Sequence, residues 1–276
     1  MKLLGLRLCE HDSNISYFDG TKLHYYKSER DYQIKHHGYD DLITWRDDIQ
    51  RIFGVKPNEI DDIAIVIDPW QHNFPTDNEE FFPAIDYPLF KADCPVQRIN
   101  HHYAHALSCF PVNNKIPDVE VVIDGFGEIN NAWTVFKDNK VFERGYEKEH
   151  GSPGVEMFLA GKWLNIEYKK GSEYDIAGKL MGLQAYGNHI EEFAKLLPQS
   201  ILRTNDIFDK EKWFRFVGNE LVGTLKPLDW IRTVHNHMGD VLVKFFERIT
   251  DNDYNSIITY SGGVAQNVIW NTKLKN

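Results

Sequence analysis

EVVIDGFGE, residues 120–128, is the stretch on which the fold turns: a β-branched run ends in a carboxylate, Asp124, and passes into two glycines, Gly125 and Gly127. An apolar run with no polar alternation reads as a strand covered on both faces. A carboxylate at its end needs a partner if buried, and the glycines allow a ligand to approach the backbone closely. A second run of the same kind, DIAIVID at 62–68, lies in the first half of the chain.

Working outward, residues 3–9, 15–18 and 22–26 read as a β-meander with Asp19-Gly20 as its hairpin turn. Residues 40–53 carry apolar side chains at helical spacing and stop at Gly54. The span 69–99 has no period and reads as an irregular excursion. Asn100 can cap a helix running through HHYAHALSCF to Pro111. After the 120–124 strand, 132–137 and 140–146 form a hairpin around Asp138-Asn139. Helices are expected at 153–164, 174–186 and 228–249, a strand at 256–260, a Ser-Gly-Gly turn, and a last helix from Val264 onward. This order predicts an α/β fold with two sheet-based lobes whose strand-end loops carry the chemistry.

At 276 residues and 42% hydrophobic, the chain can bury a large core without disulfides. Its 31 basic and 41 acidic residues leave a formal charge of −10, so no whole-molecule field draws it to phosphate backbones or anionic membranes. Cys9, Cys94 and Cys109 form no CxxC pair, which with the absence of a secretory h-region suggests a reducing, cytoplasmic setting. No apolar run reaches the ~18 residues of a membrane span.

Three features could carry chemistry. His101 and His105 are one helical turn apart and share a face, whereas His102 points about 100° away. With Asp124 they would make an N/N/O set with open positions, suited to iron, manganese or zinc. Glu128, in the same loop, is a further carboxylate that could serve a ligand or simply bind turn amides. Second, Ser261, Gly262 and Gly263 stand between strand and helix, where amides and a helix dipole can meet a phosphate, although a packing turn explains the glycines equally. Third, Gly178 and Gly182 interrupt a helical pattern at a cost of about 1 kcal/mol each, which asks for a packing or ligand reason. Gly154 and Gly161-Lys162-Trp163 only imitate a P-loop, since six residues separate the glycines and Trp163 replaces Ser or Thr. The sequence contains no G-x-S-x-G, HExxH or PCxxC motif, which weakens serine-hydrolase, zincin and deaminase readings. His235 and His237 are expected to be solvated or satisfied in the core.

NHHYAHA (100–106), VVIDGFGE (121–128), GKLMGLQAYG (178–187) and SGGVAQN (261–267), in that order, resemble the NodU/CmcH family of O-carbamoyltransferases, as does GLRLCEHDSN (5–14). The resemblance implies an actin-like (ASKHA) fold over 1–276, with a first lobe to about residue 100 and a metal site and incomplete second lobe from 101. It places metal ligands on His101, His105 and Asp124, cofactor contacts on Gly125, Gly127, Glu128, Ser261, Gly262, Gly263 and Asn267, and an acceptor-side base on His11 or Asp12. It further implies ATP and carbamoyl phosphate as co-substrates. A carboxy-terminal YrdC-like domain or partner subunit would make the carbamoyl-adenylate, and the acceptor would be a hydroxyl of a sugar, nucleoside or nucleobase-like group. Gln184, Gln266 and Val268 depart from the family pattern. The alternatives are an actin-like nucleotide-binding assembly subunit and a sugar-kinase-like phosphotransferase.

Overall fold

The computed structural model describes residues 1–8, 11–39, 41–67, 81–82, 92–113, 115–125, 127, 130–162, 175–206, 208, 225–251, 253 and 255–275. They fall into two compact units, Met1–Ala104 and His105–Asn276.

In the first unit β1 (Leu3–Leu8) pairs antiparallel with β2 (Asn14–Phe18), which pairs antiparallel with β3 (Leu23–Lys27). This is the expected meander. A single helical turn, α1 (Ser28–Tyr32), follows, and then α2 (Thr44–Phe53). The apolar spacing put the start of α2 at residue 40, but Asp41 Oδ1 accepts the amides of Ile43 (2.6 Å) and Thr44 (2.7 Å), and this side-chain bond delays the helix. Gly54, at φ 69°, closes it. β4 (Asp62–Ile67) lies parallel to β1. Its burial alternates, with Ile63, Ile65 and Ile67 inside and Asp62, Ala64 and Val66 partly open, so this strand is less enclosed than its composition suggested. Leu4, Leu6, Leu8, Trp45 and Ile49 complete that core.

The irregular span contains strand after all. β5 (Phe81–Phe82) and β6 (Val96–Ile99) extend the sheet to the order β3-β2-β1-β4-β6-β5, with β6 parallel to β4. The four residues of β6 are too few to show a period. Most of the rest of that span lies outside the described residues. Helix α3 (His101–Leu107) follows, shorter than expected, and Phe110–Asn113 forms a separate turn in which Pro111 suits the start of a new helix.

The second unit repeats the arrangement. β7 (Val119–Ile123) pairs antiparallel with β8 (Asn131–Lys137), β8 with β9 (Lys140–Tyr146), and the order is β10-β7-β8-β9. Asp138 (φ 51°) and Asn139 (φ 58°) make the hairpin turn read from the sequence. All five residues of β7 are buried, as its composition predicted. Helices α4 (Pro153–Lys162), α5 (Ile176–Leu183) and α6 (Pro227–Ile249) precede β10 (Ile258–Ser261), which is parallel to β7. Trp230, Val234, Met238, Leu242, Phe245 and Ile249 form the inner stripe of α6 and belong to the same core as Val119, Val121, Ile123, Trp133 and Val135. Among the described residues, no helix is long and apolar enough to cross a membrane.

Candidate functional site

The turn after β7 is built by backbone pairing. Asp124 N donates to Ala132 O (2.9 Å) and Gly127 N to Asn131 O (2.6 Å), which folds the chain back into β8. Ser152 Oγ donates to the Asp124 carbonyl at 2.9 Å, and Gly125 N donates to Asp124 Oδ1 at 2.7 Å. The Asp124 carboxylate is therefore held by its own turn, with Oδ2 facing His105 Nε2 at 3.1 Å.

Helix α3 brings the imidazoles. Asn100 caps it, Oδ1 accepting Tyr103 N at 3.1 Å, and Tyr103, Ala106 and His102 turn inward. His101 and His105 lie on a different face and stay partly exposed. The boundary between the compact units falls inside this one continuous helix, between Ala104 and His105, so the helical turn itself sets His101 beside His105. One donor atom from each of His101, His105 and Asp124 lies within 4.8 Å of the other two.

These residues fit a metal ion. Ligand bonds of about 2.0–2.2 Å at angles of about 90–110° set neighbouring donors roughly 3.0–3.5 Å apart, and the His105–Asp124 separation of 3.1 Å falls in that range. Two imidazoles and one carboxylate are the donor set of a transition metal rather than of magnesium or calcium.

The Ser261-Gly262-Gly263 turn belongs to the same place. Gly262 has φ 94°, a region side chains rarely adopt, and a Cβ there would sit 2.4 Å from Ile123 O. A Cβ on Gly263 would sit 2.6 Å from Asp124 Oδ1. The glycines thus let the β10 loop lie directly on the Asp124 turn, a packing reason that also leaves open backbone beside the carboxylate. The helix expected from Val264 is a 3₁₀ turn, Gly263–Gln266, followed by α7 (Val268–Lys275). Asn267 separates them because it caps α7: Oδ1 accepts Ile269 N and Trp270 N, both at 3.2 Å, and Nδ2 donates to His235 Nε2 at 3.0 Å. Its amide is thus engaged inside the fold, although the resemblance gave it to a cofactor. Glu128 lies outside the described residues.

Of the two places the sequence allows for His235, solvent or core, the structure shows the core. His235 is fully buried, stacked on Trp270 at 4.8 Å between ring centroids, and burial pushes its pKa down to about 4. His237 is buried too, with Nε2 donating to Pro198 O at 2.8 Å. The GKLMGLQAYG stretch forms α5 and a 3₁₀ turn, in which Gln184, unusual for the resembled family, is buried and accepts a hydrogen bond from Arg232.

The first unit holds the other predicted residues. His11 and Asp12 occupy the turn between β1 and β2, where Asp12 Oδ2 accepts His11 Nδ1 (2.8 Å) and His36 Nδ1 (3.0 Å). Lys27 Nζ lies 3.2 Å from Asp12 Oδ1 and 3.1 Å from Glu29 Oε1. Asp12, Glu29 and His36 could also gather about an ion. Here the Lys27 ammonium already stands between the two carboxylates and meets their demand for positive charge. His36, Lys27 and Glu29 were missed by the sequence reading, because nothing in their spacing ties them to residue 12.

No family model matches the chain. Among solved structures, a ROK hexokinase from Thermus thermophilus aligns over 100% of this chain and 87% of its own, with a TM-score of 0.50 and 15% identity. Full-length HypF, solved with phosphate and nucleotide bound, aligns over 99% of this chain at a TM-score of 0.53 and 14% identity, and this chain spans 50% of its length. At such identities the likeness establishes the fold alone, the actin-like α/β fold that this chain shares with ROK kinases and HypF.

Proposed function

We propose that the chain is the acceptor-side part of an O-carbamoyltransferase. The observation that carries the reading is the convergence of His101, His105 and Asp124 against the Gly262-Gly263 turn: imidazole and carboxylate donors meet a backbone able to lie close to a ligand. The motif resemblance supplies the reaction, and the fold, shared with a protein solved with phosphate and nucleotide bound, is compatible with it.

His101, His105 and Asp124 would hold a divalent transition metal, iron first, with manganese and zinc as alternatives. When bound, that ion supplies Lewis-acid polarisation of the acyl or phosphate oxygen of the donor. Asp124 is oriented for the task by Gly125 N and, through its own carbonyl, by Ser152 Oγ. The acceptor hydroxyl oxygen attacks the carbamoyl carbon, the bond from that carbon to the adenylate phosphate oxygen breaks, and AMP leaves with the electron pair. His11, which the resemblance places on the acceptor side, takes the hydroxyl proton. The carbamoyl-adenylate comes from ATP and carbamoyl phosphate in a YrdC-like domain or partner subunit. The acceptor is a hydroxyl on a sugar, nucleoside or nucleobase-like group.

The test is mass spectrometry of hydroxylated acceptors incubated with ATP, carbamoyl phosphate, iron and the chain together with a YrdC-like partner. A carbamate adduct, 43 mass units heavier by the chemistry of exchanging H for CONH₂ (about +43), is expected. A phosphorylated acceptor formed from ATP alone would replace this reading with a sugar-kinase-like phosphotransferase.

A further inference from the structure

Five side chains around the β1–β2 turn make a network that the reaction outlined above does not by itself require. Asp12 is at φ 54° and His36 at φ 56°, both in the left-handed region, and strain of this kind persists only where surrounding contacts hold it. The contacts are present. Ser13 N donates to His37 O (2.9 Å), Ser28 Oγ donates to Ser13 O (2.8 Å) and to His37 O (3.0 Å), and Asn14 Nδ2 donates to Asp12 O (3.0 Å). The 36–37 segment is thereby tied to the turn.

Within that frame a single oxygen, Asp12 Oδ2, receives both His11 Nδ1 and His36 Nδ1. A carboxylate only accepts, so each Nδ1 carries its proton, and in neutral His11 the lone pair is then on Nε2. Glu29 closes the network, Oε2 accepting His36 N at 3.0 Å while Oε1 meets Lys27. The hydrogen bond from His11, with those from His36 and Lys27, holds the Asp12 carboxyl well below the usual carboxylate range in spite of burial. A carboxylate so stabilised is a poor proton acceptor and a good orienting group.

We propose that His36 is a positioning residue: it pins Asp12, Asp12 fixes the tautomer of His11, and His11 alone moves the proton. The inference rests on the carbamoyl-transfer reading for the identity of the reaction and on the side-chain geometry for the network.

Two full-length variants separate the donor from the backbone. His36→Asn and His36→Gly both tolerate a positive φ, but only Asn presents an N–H near the position of Nδ1. The first readout is the ¹⁵N imidazole spectrum of His11, assigned by its loss in His11→Gln, which reports the tautomer whether or not transfer occurs. The second is kcat and KM for the acceptor in the complete assay with the YrdC-like partner. The expected result is the Nδ1–H tautomer in wild type and His36→Asn, mixed tautomers in His36→Gly, and a roughly 10-fold loss of kcat with little change in KM for His36→Gly only. A wild-type tautomer and kcat in His36→Gly overturn the proposal, as does an equal loss in both variants. If wild type shows the expected tautomer behaviour but no carbamate forms, the network stands and the carbamoyl reading fails.

Discussion

The two units place an aspartate in the same loop of the same strand pattern, between the first and second strands, and partner it differently. β1-β2-β3 with parallel β4, and β7-β8-β9 with parallel β10, are the same four-strand arrangement, and Asp12 and Asp124 follow the first strand of each. Two imidazoles gather about each carboxylate, His11 and His36 in the first turn and His101 and His105 in the second, but in the first an ammonium, Lys27, meets it as well. The topology supplies a carboxylate in the loop after the first strand, and the partners decide whether it becomes a fixed anion within a hydrogen-bonded network or a metal ligand.

The largest expected effect separates the two turns outright. Metal analysis of the purified chain after iron loading gives about one ion per chain in wild type, and His101→Ala/His105→Ala falls to background because one carboxylate ligand does not retain a transition metal. Asp12→Asn keeps the ion. Metal lost from Asp12→Asn and kept in the double variant would reverse the comparison.

Next in size is the packing of the second turn. Gly262→Ala forces a side chain into left-handed backbone and against Ile123 O, which costs roughly 3 kcal/mol of unfolding free energy, read by urea denaturation of the metal-free protein. An unchanged midpoint would remove the claim that the β10 loop must lie on the Asp124 turn.

A pH effect of about 2 kcal/mol singles out the second unit. His235 titrates near 4 folded against about 6.5 unfolded, so its neutral burial contributes fully above pH 6.5. As the pH falls from 7 to 5 the unfolded chain takes up a proton that the folded one refuses, and stability drops. His235→Gln should flatten that drop, and hydrogen exchange at pH 5 should loosen α7, capped by Asn267, before α2. Equal pH dependence in variant and wild type would sink the assignment.

The smallest effect converts one turn toward the other. Lys27→Met removes two partly exposed ion pairs, to Asp12 and Glu29, so stability changes by about 1 kcal/mol. The variant leaves Asp12, Glu29 and His36 without the ammonium between the two carboxylates. Calorimetric titration with zinc should show weak binding in the variant above that of wild type. No gain would mean that the donors of the first turn, rather than Lys27, withhold the metal.

The meander, the Asp138-Asn139 hairpin, the buried β7 and the amphipathic α6 were legible because each rests on local signals: alternation, turn residues, β-branched runs and a 3.6-residue stripe. The His101–His105 pair was legible for the same reason, since helical geometry alone makes i and i+4 neighbours. Asp124 could be offered as their partner from its place at the end of an apolar run. β6 was not legible, being too short for a period and drawn into the sheet by parallel pairing with β4.

What the sequence determined by itself is therefore the local chemistry: a carboxylate at a strand end, imidazoles one turn apart, glycines after a strand. Tertiary structure decided which of these meet. It put Gly263 within contact of Asp124, separated by 139 residues in the chain, and turned Asn267 inward to His235 and the start of α7. It also gave Asp12 to Lys27 and His36, because strand register and loop docking bring distant residues to one oxygen and no local pattern encodes that meeting.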